Sequence, residues 1–596
     1  MWLICLLISV AIPFAVGGIY AATSSGDFAR KPKISLFHAL FAGVLAASVV
    51  MFFPIHFSSV ELTFFGGLRA LLLSLFNSIQ IFAAGCEFGV VGECEALIAE
   101  SIRGYYQSWA SALFFAAPIF TFGFILSLFN NLSAKLRYLF MYGRPVYVFS
   151  ELNEKALVLA NDVKAKDGKS VIIFTDVFED NDETSFEMME EAKKLRAICY
   201  KNDILAADFR RHSPKSPIFF FTIGANETEN LNQALKLIER YKTRENTHLY
   251  VFSTNISSDL LMSSVDRGAV KFRRINEVRS LINSLLYENG DIIFRSARPD
   301  GTGKKAISAA VVGMGRHGTE MLKALAWFGQ MDGYTLEINA FDKDPLAKER
   351  FDALAPELTS PEYNGVYVEG EAQYKIKIHP GMDVSTSSFF REIGKLSRAS
   401  YVFVSLGDDD LNVKTAVELR TCFERMKIKP VIQAVVSNSQ QSNALRGIKN
   451  FKGQEYLIDF IGDVESSYAA DVIIDSELEN DALQRHLKWG NEEEFWDYEY
   501  NYRSSVASAI HMRARVNCGI PGAGKRTEDL TPAEKEGIET LEHKRWNAYM
   551  RAEGYIFSGS TDKSSRNDLG KMHHDLVDFA SLTEEEKRKD SDIGAQ

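Results

Sequence analysis

The distribution of apolar residues divides the chain near residue 140. Before that point four apolar segments follow one another, and Arg69 is the only Asp, Glu, Lys or Arg inside them. Each is close to the roughly 20 residues that a helix needs to cross the hydrocarbon core of a bilayer. We therefore predict a transmembrane region over residues 1–140 with three or four helices. The segments are Met1–Tyr20, Leu36–Ile55, Leu62–Ala84 and Trp109–Phe129.

Beyond Tyr142, short apolar runs alternate with charged helical patterns, as is typical of parallel βαβ units. The order of strands, helices and polar landmarks occurs twice. This repetition predicts an internal duplication, with two α/β Rossmann-like domains over residues 144–295 and 304–480. The paired landmarks are Asp176 with Asp342, Asp203 with Asp383, Gly224 with Gly407, and Asn255 with Asn438.

The second of these domains has a glycine-rich turn, Gly313–Gly318, between a predicted strand and a predicted helix. Glycines permit close approach of backbone N–H groups to a phosphate, and a helix N-terminus favours negative charge. Asp342 is placed to accept from a ribose hydroxyl. The other interpretation is a scaffold whose site is empty or holds an ion. The candidate site for NAD or another nucleotide comprises Gly313, Gly315, Arg316, His317, Gly318, Asp342 and Asp383.

The corresponding turn of the first domain, Ser150–Lys155, has no glycine. Its Glu151 and Glu154 would repel a pyrophosphate, because like charges at close range disfavour binding. We therefore expect no dinucleotide of the usual kind in the first domain, which would bind another group or serve to couple the parts of the protein.

A connecting helix and linker are predicted over residues 481–527. The linker contains Gly519–Arg526, which nearly matches a phosphate-binding P-loop. Arg526 replaces the Ser or Thr that binds Mg²⁺, and a predicted helix, Ser504–Arg515, precedes the glycines instead of a strand. We interpret these glycines as a flexible linker. The next helix is predicted to begin at Thr531–Glu534, a capping box with proline at the first helical position.

Residues 528–596 are predicted to form a small, mainly α-helical domain with an aromatic and histidine-rich middle. Structural zinc sites need four ligands. No cysteine or second spaced histidine pair completes such a set around His543, His573 and His574. We therefore predict no metal and place these histidines in the core or facing a ligand, beside Trp546.

These residues allow two family resemblances to be stated. Membrane helices followed by tandem Rossmann domains resemble regulator-of-potassium-conductance (RCK) proteins, over about Tyr142–Asp475 and on the glycines and acids named above. Residues 528–590 are similar to the ryanodine receptor repeat (RyR) domain, although His574 stands where that family commonly has proline. The matching residues are Glu542, His543, Trp546, Gly554, Tyr555, Gly559, Lys571, His573 and Leu576.

The RyR resemblance implies a small ligand, with nucleotides among the candidates, and a sensor role in nucleotide-signalled antiviral defence. The ligand-binding residues that it implies are His543, Trp546, Tyr555, Lys571 and His573.

Charge sets the expected orientation and excludes one class of partner. The net charge of −11 argues against a basic surface that binds a nucleic acid polymer.

The basic residues that follow the last apolar segment are Lys135, Arg137 and Arg144. The large C-terminal region should therefore be cytoplasmic, next to a multi-pass region in the cell (inner) membrane. The basic residues at 30, 31 and 33 also favour the inside, which would require Leu62–Ala84 not to cross. Four full crossings remain the alternative, and pairing of Cys86 with Cys94 stays open.

The function that this order of parts favours is a ligand-gated ion channel or conductance, not an enzyme. A homo-oligomer would line the pore, with Arg69, Asn77 and Gln80 as candidate pore residues. No potassium filter of the TVGYG kind is present. A regulatory subunit of a separate ion transporter is therefore the first alternative. A membrane-anchored, NAD-dependent oxidoreductase is the second, although no acid/base pair accompanies the glycine-rich turn.

Overall fold

The computed structural model describes residues 1–24, 36–83, 85, 89–92, 95–128, 132–176, 183–255, 264–360 and 373–594. The chain divides into two compact units, Met1–Phe140 and Met141–Gln596. We refer to them as the N-terminal unit and the α/β unit. Cys86 and Cys94 lie outside the described residues.

The N-terminal unit is helical, and within its described residues three helices are long and apolar enough to cross a membrane. They coincide with the first three predicted segments, which supports association with a membrane. The fourth predicted segment lies in the helix that begins at Glu100, except for Phe129, which is outside the described residues. The helices are α1 (Trp2–Ser24), α2 (Leu36–Phe57), α3 (Phe64–Phe82), α4 (Gly89–Gly92), α5 (Glu100–Leu128) and α6 (Leu132–Leu139).

Polar side chains join three helices of the N-terminal unit. Trp109 of α5 donates through Nε1 to the Ser9 hydroxyl of α1 at 2.8 Å, and Ser9 donates to the backbone carbonyl of Ala47 in α2 at 2.7 Å. The Tyr106 hydroxyl of α5 donates to the carbonyl of Met51 in α2. An unpartnered polar group in an apolar surrounding is costly. These hydrogen bonds therefore fix how α1, α2 and α5 pack.

Two candidate pore residues of α3 differ in their contacts: Arg69 is exposed on the unit, and Asn77 contacts α2. Ala70, Ser74 and Ser78 form its buried face. The Asn77 amide nitrogen lies 3.0 Å from His56 Nε2 of α2, so a contact between helices accounts for Asn77. Arg69 is exposed on the unit. A pore-lining role for Arg69 and Gln80 stays a prediction.

The first sheet of the α/β unit has six parallel strands in the order β3-β2-β1-β4-β5-β6. Every residue of β2 is buried, as expected for a strand covered on both faces. The strands are β1 (Val146–Phe149), β2 (Val171–Thr175), β3 (Ile198–Tyr200), β4 (Ile218–Thr222), β5 (Thr247–Phe252) and β6 (Val270–Ile275). The helices are α7 (Glu154–Lys166), α8 (Glu183–Lys194), α9 (Glu227–Tyr241), α10 (Glu277–Asn289) and α11 (Asp291–Arg295).

The second sheet repeats that order as β10-β9-β8-β11-β12-β13, with the short β7 antiparallel to β8. Its strands are β7 (Arg298–Pro299), β8 (Lys305–Val312), β9 (Tyr334–Phe341), β10 (Lys375–His379), β11 (Tyr401–Val404), β12 (Val431–Val435) and β13 (Ile458–Ile461). Its helices are α12 (Arg316–Phe328), α13 (Ala347–Leu354), α14 (Pro356–Thr359), α15 (Ser387–Ile393), α16 (Asp409–Arg425) and α17 (Ser439–Leu445).

The predicted layout of apolar helices followed by two parallel α/β sheets is thereby confirmed. Both sheets have the strand order of a doubly wound Rossmann fold. The sixth strand of each sheet, β6 and β13, was not predicted. Each lies at the edge of its sheet and mixes charged with apolar residues, such as Lys271 and Asp459, so it lacks the continuous apolar run of a central strand.

The duplication extends to individual hydrogen bonds. Asp176 accepts from the Leu152 N–H at 3.0 Å in the first copy, and Asp342 accepts from the Met314 N–H at 2.6 Å in the second. Each copy also has an asparagine that joins the loop after the fourth strand of its copy to the end of the fifth. The matched hydrogen bonds are Gly224 N–H to Asn230, Asn230 to Phe252 O, Leu406 N–H to Asn412, and Asn412 to Val435 O.

The rest of the α/β unit consists of the connecting helices, which lie between Val464 and Asn517, and of the tail, which we define as residues 528–594. The glycine segment follows the helix Glu499–Asn517 and contains Gly522 and Gly524, both with positive φ. A helix therefore precedes it, as predicted, and the capping box at Thr531 is present. The helices are α18 (Val464–Ser467), α19 (Ala470–Ile473), α20 (Glu477–His486), α21 (Glu492–Asp497), α22 (Glu499–Asn517), α23 (Pro532–Ala552) and α24 (Glu584–Gly594), with β14 (Ile556–Phe557) parallel to β15 (Met572–His573).

The connecting helices and the tail share a hydrophobic core with the second sheet. Trp327 of α12 meets Tyr549 of α23 edge to face at 6.0 Å between ring centroids, and both belong to this core. His511 of α22 lies 2.6 Å through Nε2 from the Gln330 carbonyl, at the end of α12. The predicted division of this region at residues 480 and 528 stays a prediction.

A chain of ion pairs joins both sheets to the tail. Arg279 of α10 contacts Glu320 of α12 at 2.9 Å and Glu553, just after α23, at 3.1 Å. Arg503 of α22 lies 3.4 Å from the same Glu553 and 2.6 Å from Glu499. Burial raises the pKa of Glu553, but Arg279 and Arg503 outweigh it and bring this pKa down to about 2.

We predict that Glu553→Gln lowers stability by about 2 kcal/mol, less than for a fully buried pair, because the side chains of Arg279 and Glu553 are 19 % and 20 % exposed. The contribution of Glu553 is complete above its ordinary pKa of 4.5 and is lost as the pH falls towards 2. Thermal unfolding of the detergent-solubilised protein should therefore show a large shift near pH 7 that narrows in acid. Glu424→Gln, which removes an exposed pair with Lys429 at 3.7 Å, is the matched control. Equal shifts in the two variants would contradict this role of Glu553.

Candidate functional site

Two glycines of the predicted nucleotide turn are required by its backbone. Gly313 has φ +92°, and a Cβ there would lie 2.1 Å from the Ser405 carbonyl oxygen. A Cβ on Gly318 would lie 1.8 Å from the carbonyl oxygen of Gly313. A Cβ on Gly315, the N-cap of α12, would meet no described atom within 4 Å. The open side of the turn is therefore at Gly315, where the exposed Arg316 follows.

The acids beside this turn hold backbone groups. Asp342 accepts from the N–H groups of Met314 at 2.6 Å and Asp344 at 2.8 Å, one on each carboxylate oxygen. Asp383 accepts from the Ser385 hydroxyl at 2.6 Å and from its N–H at 2.8 Å, which lowers the pKa of Asp383. Asp176 braces the glycine-free first turn in the same way as Asp342. The predicted contact of Asp342 with a ribose stays a prediction.

His317 is directed towards a different space from the open side of the turn. It lines a cavity of about 430 Å³ together with Lys155 of the first copy and Tyr468. Burial lowers the pKa of His317. The structure therefore brings Gly313, Gly315, Gly318 and Asp342 together at one turn, and it places His317 where the two copies face each other.

The tail borders a second cavity, of about 510 Å³. Three of the five residues that we predicted there, His543, Trp546 and His573, line it. Tyr555 and Lys571 are not among the lining residues; the Lys571 ammonium donates to the Glu553 carbonyl at 2.7 Å. The connecting helices supply a large part of the wall, which the sequence did not indicate. We refer to this space as the tail cavity.

His543 is held between two acceptors. Its Nε2 lies 2.8 Å from the Val577 carbonyl oxygen, and its Nδ1 lies 3.0 Å from the Asp590 carboxylate. Burial lowers the pKa of His543, but Asp590 more than compensates and raises it overall. Both ring nitrogens can donate only in the imidazolium form. Burial also raises the pKa of Asp590, and His543 and Asp590 form a largely buried hydrogen-bonded pair beside the tail cavity.

His573 and His574 form a parallel pair with ring centroids 4.7 Å apart and planes 10° apart. Burial lowers the pKa of His573 to about 3, and its Nδ1 accepts from the Asp575 N–H at 3.2 Å. Ligand atoms of His573, His574 and Asp575 lie within 4.8 Å of one another. A metal ion binds in the plane of each imidazole, and two stacked planes do not share such a point. This geometry does not favour a tetrahedral zinc site, for which four ligands are usual.

A buried group of charges forms the inner wall of the tail cavity. Glu542 of α23 accepts from Arg545 at 2.6 Å and from Arg515 of α22. Burial raises the pKa of Glu542, and the two arginines overcome that effect and bring it to about 2. Arg485 of α20 lies in the same wall; burial lowers its pKa to about 10, and the neighbouring Arg515 and Arg545 contribute to this lowering.

Sequence reasoning missed Arg485, Ser508 and Arg545 as lining residues. Arg545 stands beside Trp546 in the pattern that carries the RyR resemblance, which was an available signal. Arg485 and Ser508 lie in the connecting helices, distant in sequence from the tail, so only the folded chain brings them to the cavity.

The comparisons with family models and curated proteins identify no family for this chain. No protein-family model matches the chain, and no curated protein matches it at a significant level. What the protein does must therefore be inferred from its own residues and contacts.

We predict that Gly318→Ala destabilises the protein by about 1–3 kcal/mol or more, because the added carbon would overlap the Gly313 carbonyl and the backbone must move. Gly315→Ala is the matched control and should cost no more than about 1 kcal/mol, because the added carbon meets no described atom and only the N-cap preference for glycine is lost. Thermal unfolding monitored by tryptophan fluorescence tests both. A tolerated Gly318→Ala would mean that the turn has another conformation.

Proposed function

We propose that the protein is a ligand-gated membrane ion channel or conductance, with its α/β unit as the ligand sensor. The observation that carries this proposal is the presence in one chain of three apolar helices and of an α/β unit whose tail cavity has a wall of buried charges. A cavity of this size is in the range of small-molecule sites. The large C-terminal region is proposed to be cytoplasmic, on a multi-pass membrane region.

The proposed ligand is a nucleotide, bound at the glycine-rich turn, in the tail cavity, or at both. Gly315 leaves the N-terminus of α12 open, which supports binding of a phosphate at the turn. We also propose that the two sheets are RCK-type domains and that the tail is RyR-type. The repeated strand order and the joint position of His543, Trp546 and His573 support these assignments. Nucleotide-signalled antiviral defence is the proposed setting.

Gating requires that the ligand bind one arrangement of the protein better than another. The α/β unit contains connections through which such a preference could act. The ion pairs of Arg279 and Glu553 hold α10, α12 and the end of α23 together, so a ligand that moves the tail would change contacts with both sheets. A homo-oligomer is proposed because a pore needs several copies.

The regulatory-subunit alternative is favoured by the absence of a TVGYG filter from the sequence. It predicts a protein that binds nucleotide but carries no current without a separate transporter. The oxidoreductase alternative has less support. Both carboxylate oxygens of Asp342 already accept hydrogen bonds from the turn, and no acid/base pair accompanies it among the described residues.

We predict that the purified protein in liposomes conducts ions when a nucleotide is added. A panel of mono-, di-, tri- and cyclic nucleotides should be compared by ion-flux fluorescence, with protein-free liposomes as the control. Silence across the panel, together with nucleotide binding, would support the regulatory-subunit alternative and overturn the conductance.

Gly315→Asp separates the turn from the tail cavity in the same assay. The substitution adds a negative charge in open space at the N-terminus of α12, so it should weaken phosphate binding at the turn without unfolding the protein. Loss of the response assigns gating to the turn. An unchanged response, with unchanged thermal stability, assigns it to the tail cavity.

A further inference from the structure

We infer that the tail cavity is a binding site for a phosphate-bearing ligand with a planar ring, held jointly by the connecting helices and the tail. Its phosphate would bind at Arg545, Ser508 and His574, and its ring would lie near Trp546 and Trp489. This inference deepens the proposed function and rests on it for the link to gating. The binding itself follows from charge, hydrogen-bonding capacity and shape.

Among the described residues, five Arg or Lys side chains and four carboxylates line the cavity: Arg485, Arg545, Lys563, Arg566 and Lys589, and Glu542, Asp575, Glu586 and Asp590. Arg485 and Arg545 in the wall, and Arg515 behind it, are at most 8 % exposed, and the Asp590 carboxylate raises the pKa of the neighbouring His543. The carboxylates that act on these groups are Glu542, Asp481, Asp575 and Asp590, and Asp481 also accepts from Tyr287 at 2.6 Å. Buried charge is unfavourable unless it is compensated. An anion in the cavity would supply the missing negative charge.

Three side chains of the wall have buried polar atoms without a hydrogen-bond partner among the described residues. They are Nε and Nη1 of Arg545, both ring nitrogens of His574, and the hydroxyl of Ser508. His574 Nε2 is 3.3 Å from the Asp575 carboxylate, without the geometry of a hydrogen bond. Each unsatisfied buried group costs about 1–3 kcal/mol. All three side chains line the same cavity, where phosphate oxygens could accept from them.

Lysine side chains form ion pairs with Glu586, an acid that lines the cavity. Glu586 contacts Lys563 at 3.0 Å and Lys589 at 2.8 Å. Burial raises the pKa of Asp575. Two of the lining carboxylates, Glu542 and Glu586, already have cationic partners and therefore do not stand alone beside a negative ligand.

Aromatic side chains border the same space. Trp489 is 44 % exposed, whereas Arg545 is 1 % exposed, so the lining changes from buried and charged to accessible and aromatic. Trp546 and Tyr500 also line the cavity. Indole rings offer a stacking surface for a base. This combination fits a nucleotide better than inorganic phosphate or a simple carboxylate.

The site is shared between segments that are distant in the sequence. Arg485 and Ser508 come from α20 and α22, Arg545 and Trp546 from α23, and His574 from the segment after β15. A ligand that contacts all of them would hold the tail against the connecting helices. Binding to the folded form alone raises thermal stability, so the ligand should stabilise the packing of the tail.

The test is binding to the full-length protein in detergent, measured by thermal shift and by isothermal titration calorimetry. The probes are ATP, ADP, AMP, adenosine and inorganic tripolyphosphate. We expect the nucleotides to bind and to raise the melting temperature, and adenosine to do neither. Trp489→Ala should weaken ATP binding while affecting tripolyphosphate little.

Arg545→Gln and Ser508→Ala together separate a ligand site from a structural one. Arg545→Gln removes two nitrogens that lack a partner but also the 2.6 Å ion pair with Glu542, so the free protein should melt at a lower temperature, and ATP binding to the folded protein should weaken by about tenfold or more. Ser508→Ala should weaken binding without loss of stability and guards against a misfolded Arg545→Gln. Failure of every probe to bind, or equal ATP affinity in all three variants and the wild type, would overturn the inference.

The outcome is distinguishable from that of the proposed function. Binding that depends on Arg545 without any ion flux keeps this inference and removes the conductance. Nucleotide-dependent flux that is lost in Gly315→Asp, together with ATP binding that is unchanged in Arg545→Gln and Ser508→Ala, keeps the conductance and removes this inference.

Discussion

Compensation of buried charge is the constraint on which the α/β unit depends. A charged group that leaves water must meet an opposite charge or a hydrogen-bond partner, because the low-dielectric interior otherwise makes it strongly unfavourable. The chain of ion pairs through Arg279 and Glu553 meets this requirement where the two sheets and the tail converge. The group around Glu542 meets it only in part, since Arg545 keeps nitrogens without a partner in the described chain.

These two charge groups lie where the connecting helices and the tail make the two copies of the fold unequal. The sheets repeat one another in strand order and in the acids that brace their first turns, and they differ at those turns, because only the second copy has glycines there. The connecting helices and the tail break that symmetry, because they pack in one core with the second sheet. Arg279 brings the first sheet into the same contacts. A ligand-dependent movement of the tail would therefore change contacts with both copies of the fold.

Several elements could be predicted because their signals are local. The central strands are continuous apolar runs, and Thr531 with Glu534 is a capping box within four residues. The glycines at 522 and 524 were rightly separated from a P-loop because a helix precedes them. The edge strand at Val270–Ile275 was missed, since it carries Lys271, Arg273 and Arg274 among its apolar residues. Charged residues on an edge strand interrupt the continuous apolar run by which a buried central strand is predicted.

The sequence by itself determined the apolar helices, the two parallel sheets and the glycine turn, because each depends on spacing within a short stretch of chain. Only the tertiary structure decided the tail cavity. Arg485, Ser508, Arg545 and His574 are separated by many residues, and their meeting depends on how α20, α22 and α23 pack. It also decided that Asp342 braces its own turn. A residue type shows what chemistry is available, whereas packing in three dimensions sets which groups are close enough to perform it.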